Sequence, residues 1–151
     1  ERRPQPKDAI RADTAFVLTN LLQGVVQHGT AAAANALNWP LAGKTGTVDD
    51  NTDAWFVGFD PNITVGVWLG NDEKKPIGYN ETGTTAALPM WMDFMKVYIE
   101  LYGDKENPPK FESPGNIIFM PVDRLTGEPA SGEGEGVVNE AFISGTQPIK
   151  P

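Results

Sequence analysis

Leu41-Ala42-Gly43-Lys44-Thr45-Gly46-Thr47 decides how the chain is read. It gathers a lysine, a pair of hydroxyls and a pair of glycines in a short run of strand character. Trp39 and Pro40 lead in, and Val48-Asp49-Asp50-Asn51 lead out to a turn. Glycine removes the side chain, so a ligand or a second backbone can approach the main chain. Threonine favours the strand and supplies a hydroxyl donor. A lysine between glycines, followed by threonines, suits an anion held against exposed backbone.

One use of such a run is a phosphate loop, which requires G-x-x-x-x-G-K-[ST] between a strand and a helix. Gly43-Lys44-Thr45 supplies its end, but Asn38 stands where the opening glycine belongs. Pro40 removes an N–H from the would-be loop, and Thr47-Val48 continues as strand. The other use is acyl transfer by an active-site serine, where a Lys-Thr-Gly strand flanks the nucleophile. On the motif alone, an edge strand whose lysine faces water explains it equally well.

On either side of this strand the chain alternates helices and short strands. Leu18, Leu21, Leu22, Val25 and Val26 recur at helical spacing, with Phe16 nearby, Asp13 as the N-cap and Gly29 at the left-handed end. His28 in the last turn reads as a capping or solvated histidine. Thr30 is placed to cap a short alanine-rich helix over Ala31–Ala36. Leu41–Val48, Asp53–Phe59 and Ile63–Leu69 read as strands. A turn at Asp49–Thr52 and a tight Asp60-Pro61-Asn62 link make them antiparallel neighbours. The mid-strand glycines Gly58 and Gly66 suggest a close approach by a helix or backbone. Asn71–Thr84 is a polar loop with Lys74-Lys75 at a solvated tip. A long helix follows from Thr84 or Thr85 to Gly103, with Pro89 in its first turn and Leu88, Trp91, Phe94, Met95, Tyr98, Leu101 and Tyr102 as its packing stripe.

Composition shifts after Gly103. Residues 1–103 read as one folded unit, and 104–151 as a proline- and glycine-rich linker with a short β tail. In that tail Ile117–Met120 and Val137–Ile143 read as strands, Asp123–Gly127 as a turn and Ser144–Pro151 as frayed. The fold class is α+β: an antiparallel sheet packed by helices, with a small β-containing C-terminal extension.

The 151 residues are 40% hydrophobic, enough for a core, and carry a net charge of −8. No basic stripe exists, which argues against a nucleic-acid partner. With no cysteine and one histidine, thiolate or histidine metal sites and a Ser-His-Asp triad lack material within this chain. Neither a metal nor a cofactor is expected. No apolar run is long enough to span a membrane, and Glu1–Lys7 is polar, more like a cut linker than a signal peptide.

The order of these elements resembles the C-terminal half of the transpeptidase domain of bifunctional (class A, type 1A) penicillin-binding proteins. The blocks that carry the resemblance are Ala42–Thr47 followed by Asp53–Gly58, Val67–Asp72, Glu81-Thr82-Gly83 before Ala86–Trp91, and Gln27–Ala31. Gly115-Asn116, Val122-Asp123 and Thr126-Gly127 fit that family's C-terminal extension. The resemblance implies peptidoglycan cross-linking. A serine attacks a D-Ala-D-Ala stem peptide, and the acyl group passes to a neighbouring strand's amine. β-Lactams trap the serine. It implies that Lys44 attracts the substrate carboxylate and aids proton movement, and that Thr45 and Thr47 bind that carboxylate. The Thr47 N–H would serve the oxyanion hole, while Gly46 lets the substrate lie along the strand.

The nucleophile itself is missing. Ser113, Ser131 and Ser144 are the only serines, none has a lysine three positions on, and no S-x-N occurs. The resemblance therefore implies a partner: the upstream half of the same domain, which carries the serine. It also implies an extracytoplasmic location, anchored by a segment outside this chain. One sheet face and the first helix are expected to lack cover without that half. The alternative is a non-catalytic module that binds cell-wall peptide or protein through the same edge strand. A β-lactamase relative fits less well, because the long tail with Pro108-Pro109 suits the synthases.

Overall fold

A computed structural model describes residues 7–149, apart from 48, 74, 80 and 133. Expectations for the first six residues, Val48, Lys74 and the last two positions lie outside the described residues. The elements are α1 (Ala12–His28), a 3-10 helix (Ala32–Leu37), β1 (Ala42–Thr47), a turn (Asp49–Asn51), β2 (Asp53–Phe59), β3 (Thr64–Gly70), a π-helical turn (Gly83–Ala87), α2 (Leu88–Tyr102), β4 (Ile117–Asp123) and β5 (Val137–Ile143). This is the α+β arrangement the sequence predicts.

The chain divides into two compact units, residues 22–111 and residues 1–21 with 112–151. The division does not follow the 103/104 boundary drawn from composition. Apolar strands need a covering layer, and the tail strands group with the first residues of α1 instead of forming a unit of their own.

In the larger unit β1, β2 and β3 form an antiparallel sheet in that order. Lys44 pairs with Val57, Gly46 with Trp55, and Trp55 in turn with Trp68. Side chains alternate across a strand. Ala54 and Phe56 are therefore fully buried, while Trp55, Val57 and Trp68 on the other face are exposed. The buried face carries α2. Trp91 lies edge-to-face on Phe56 at 4.9 Å, and its ring N–H donates to the Val65 carbonyl at 3.1 Å. Burying a side chain of this size contributes about 1.5–3 kcal/mol. A Cβ on Gly58 would meet the Trp91 ring at 2.6 Å, which explains this glycine. Gly66 has only ordinary contacts, its nearest neighbour being Val57 at 3.8 Å.

The β2–β3 link is fixed by Asp60, buried at the turn. Its Oδ1 accepts from the Asn62 and Ile63 N–H groups at 2.7 and 2.8 Å, and its Oδ2 from the Trp39 indole at 2.8 Å. The α2 stripe differs from expectation. Leu88, Trp91, Met95 and Ile99 are buried, whereas Phe94, Leu101 and Tyr102 are exposed. The end of α1 also differs: Gly29, read as left-handed, lacks positive φ, as does Gly103 after α2. At each of them the preceding turn crowds a would-be Cβ, within 2.8 Å of Val25 and 2.5 Å of Ile99.

In the smaller unit β4 and β5 pair antiparallel from Ile117↔Ile143 to Asp123↔Val137. Asp123 closes the predicted turn by accepting from Leu125 and Thr126 N–H at 2.9 and 2.8 Å. Phe119 meets Phe16 edge-on at 6.1 Å, and the Asn20 side chain accepts from Ala141 N–H at 3.1 Å. Asp13, expected as the N-cap, sits inside the first turn of α1 instead. It accepts from the Arg11 guanidinium, Thr14 N–H and the Asn116 amide, at 2.7 Å for each of the last two. Those donors, Arg11 first, hold its carboxyl well below the usual carboxylate range. Leu18 and Leu21 of α1 are exposed.

Candidate active-site strand

β1 pairs only with β2 in its sheet, so its outer edge is open among the described residues. An open edge presents unpaired N–H and C=O groups on which an extended peptide can add as a strand. Lys44, Thr45, Gly46 and Thr47 lie in sequence along this edge. Lys44 and Thr47 are exposed, with Thr45 and Gly46 half-buried between them.

Alternation splits the four into two sets. Lys44 and Gly46 share the face of Val57 and Trp55, and Thr45 and Thr47 share the opposite one. The Lys44 ammonium donates to the Thr45 carbonyl at 2.9 Å and its hydroxyl at 3.3 Å. The Thr45 hydroxyl meets that of Thr30 at 3.1 Å. The Thr47 hydroxyl accepts from the Gly83 N–H at 3.1 Å. One positive charge and two hydroxyls held at an open strand edge offer a site for a carboxylate at the end of an extended chain.

Thr30 and Gly83 lie outside the Lys-Thr-Gly-Thr motif yet touch it. The sequence places Thr30 as the cap of the following helix, but that helix begins after Ala31 and has no side-chain cap. Its hydroxyl turns to Thr45 instead. Gly83 opens the π-helical turn before α2, which Thr82 caps by accepting from Thr85 N–H at 3.3 Å. The only signal for either residue was its place in the Gln27–Ala31 and Glu81–Gly83 blocks.

An open-edged antiparallel sheet backed by a helix, with Lys-Thr-Gly-Thr on the edge strand, sets the class. The penicillin binding protein transpeptidase domain family matches residues 1–92, and the chain belongs to that family. Penicillin-binding protein 1A of Aquifex aeolicus is 39% identical over 148 residues, 98% of this chain and 20% of the relative. Penicillin-binding protein 1A of Pseudomonas aeruginosa is 38% identical over 141 residues, 92% of this chain and 17% of its own. A crystal structure of penicillin-binding protein 1A from Haemophilus influenzae superposes with a TM-score of 0.78 at 26% identity, over 93% of this chain and 22% of that one. The chain spans about a fifth of the length of the curated relatives it matches. No helix among the described residues is long and apolar enough to cross a membrane.

Proposed function

We propose that this chain forms one wall of a serine-type D-Ala-D-Ala transpeptidase that cross-links peptidoglycan and is acylated by β-lactams. The observation that carries the reading is the Lys44–Thr47 sequence on an open strand edge, with both threonine hydroxyls on one side of the strand. The stem peptide lies along β1 as an added strand. Lys44 and the Thr45 and Thr47 hydroxyls hold its terminal carboxylate. The Thr47 N–H is one donor to the oxyanion of the tetrahedral intermediate, a type of donor whose loss costs about 100- to 1000-fold in rate.

The nucleophile comes from outside this sequence, since none of its three serines is followed by lysine three positions on. That serine's oxygen attacks the penultimate D-Ala carbonyl, and the terminal D-Ala leaves with a proton. The acyl group then passes to the acceptor amine. The same reading places the reaction on the outer face of the cell membrane, with the anchor in another segment. It also makes this chain inactive by itself.

The test is labelling by a fluorescent penicillin, on this chain alone and then mixed with the serine-bearing segment. Labelling only in the mixture, on the segment, and lost with Lys44→Ala or Thr47→Val here, is the expected result. No labelling of a folded mixture would favour a non-catalytic peptide-binding module at the same edge.

A further inference from the structure

We infer that Gly83 is a positioning residue that fixes the Thr47 hydroxyl as a donor towards the substrate carboxylate; the inference rests on the transpeptidase reading. Gly83 is the first residue of a helical run that continues without a break from the π-helical turn into α2. An N–H in the first turn of a helix has no partner inside the helix. Here it reaches across 36 residues of sequence to the Thr47 hydroxyl, at 3.1 Å.

A threonine hydroxyl has one proton and two lone pairs. Once it accepts from Gly83, its proton points away from that N–H. Thr47 is exposed at the open edge of β1, so the proton is available to an anion at that edge. The contact requires glycine. A Cβ at position 83 would meet the Trp55 carbonyl at 2.4 Å and the Gly46 carbonyl at 2.9 Å. Both are backbone atoms of β1 and β2, which cannot swing aside as a side chain tip would. Gly83 is also buried, so water does not replace the lost partner. The turn is held in place by the reciprocal Thr82–Thr85 capping pair, with the Thr82 N–H donating to the Thr85 hydroxyl at 2.7 Å.

The experiment measures second-order acylation of the whole active protein, serine-bearing segment included, by benzylpenicillin and by its methyl ester. The readout is the ratio of the two rates, which a general loss of fold or oxyanion geometry does not move. Gly83→Ala is expected to lower that ratio about tenfold, the scale of one hydrogen bond to a charged group. In a Thr47→Val background the same change is expected to move the ratio no further. Thr82→Ala loosens the turn without a clash, and should shift the ratio in the same direction, so the test survives if Gly83→Ala fails to fold. An unchanged ratio in Gly83→Ala or Thr82→Ala, or a full further loss on the Thr47→Val background, overturns the inference. A wild-type protein acylated by neither probe overturns the transpeptidase reading itself.

Discussion

The two antiparallel assemblies of this chain use glycine in opposite ways. In the β1–β2–β3 sheet Gly43, Gly58 and Gly70 stand where something else must fit. A Cβ on Gly58 would enter the Trp91 ring, and one on Gly43 would come within 2.8 Å of Phe56. In the β4–β5 hairpin Gly127 and Gly136 have φ of +71° and +84°, and a Cβ there would meet nothing within 4 Å. One region uses glycine to bring elements into contact, the other to turn the chain. The lesson extends to chemistry. Close approach in the sheet brings polar groups from distant parts of the sequence against one strand edge. In the hairpin Asp123 and Thr126 tie off their own turn, while the Ala141 N–H reaches the Asn20 side chain of α1.

The comparison can be broken by substitution. The largest expected effect is on chemistry: Lys44→Ala should lower acylation by about 100-fold or more, the scale of lost proton-transfer assistance, in a stopped-flow assay with the serine-bearing segment present. Next, Gly58→Ala is expected to cost about 1–3 kcal/mol in urea unfolding, because Trp91 and Phe56 must move. It should also slow acylation, since β2 carries β1. Gly136→Ala is expected to cost about 1 kcal/mol of left-handed strain and to leave acylation unchanged. Equal effects of these two on acylation would erase the distinction between the regions.

The smallest effect is one of pH. Asp13 is held below its ordinary carboxylate pKa by Arg11, then Asn116. The unfolded chain therefore binds the proton more readily, and stability rises with pH across this window. The contribution is present above the ordinary carboxylate pKa of about 3.8 and is lost as pH falls towards the folded value. Asp13→Asn should flatten that acid limb, read by circular dichroism melts between neutral pH and the acid range. It should not alter acylation at neutral pH.

Much of the sheet was legible because its signals are local. Asp60-Pro61-Asn62 spells a turn, and the structure shows the Asp60 carboxylate closing it. Gly58 announced a close approach, and Trp91 makes it. The Lys44–Thr47 run announced an edge strand. What the sequence left unread depends on which face meets which. Phe94 and Leu101 belong to the apolar stripe of α2, yet the sheet takes only the Trp91–Met95–Ile99 side. The Thr30–Thr45 and Gly83–Thr47 contacts join residues 15 and 36 positions apart, and no local pattern encodes them. The tail's grouping with the start of α1 was hidden for the same reason. A composition shift marks a change of loop content, not where a strand finds its cover.

The most direct measurement maps the adduct. The protein, with its serine-bearing segment, is acylated with benzylpenicillin, digested and sequenced by mass spectrometry. The penicilloyl group is expected on a serine outside these 151 residues, with yield falling sharply in Lys44→Ala. An adduct on Ser113, Ser131 or Ser144 would contradict the assignment of the Lys44–Thr47 strand as a wall without a nucleophile.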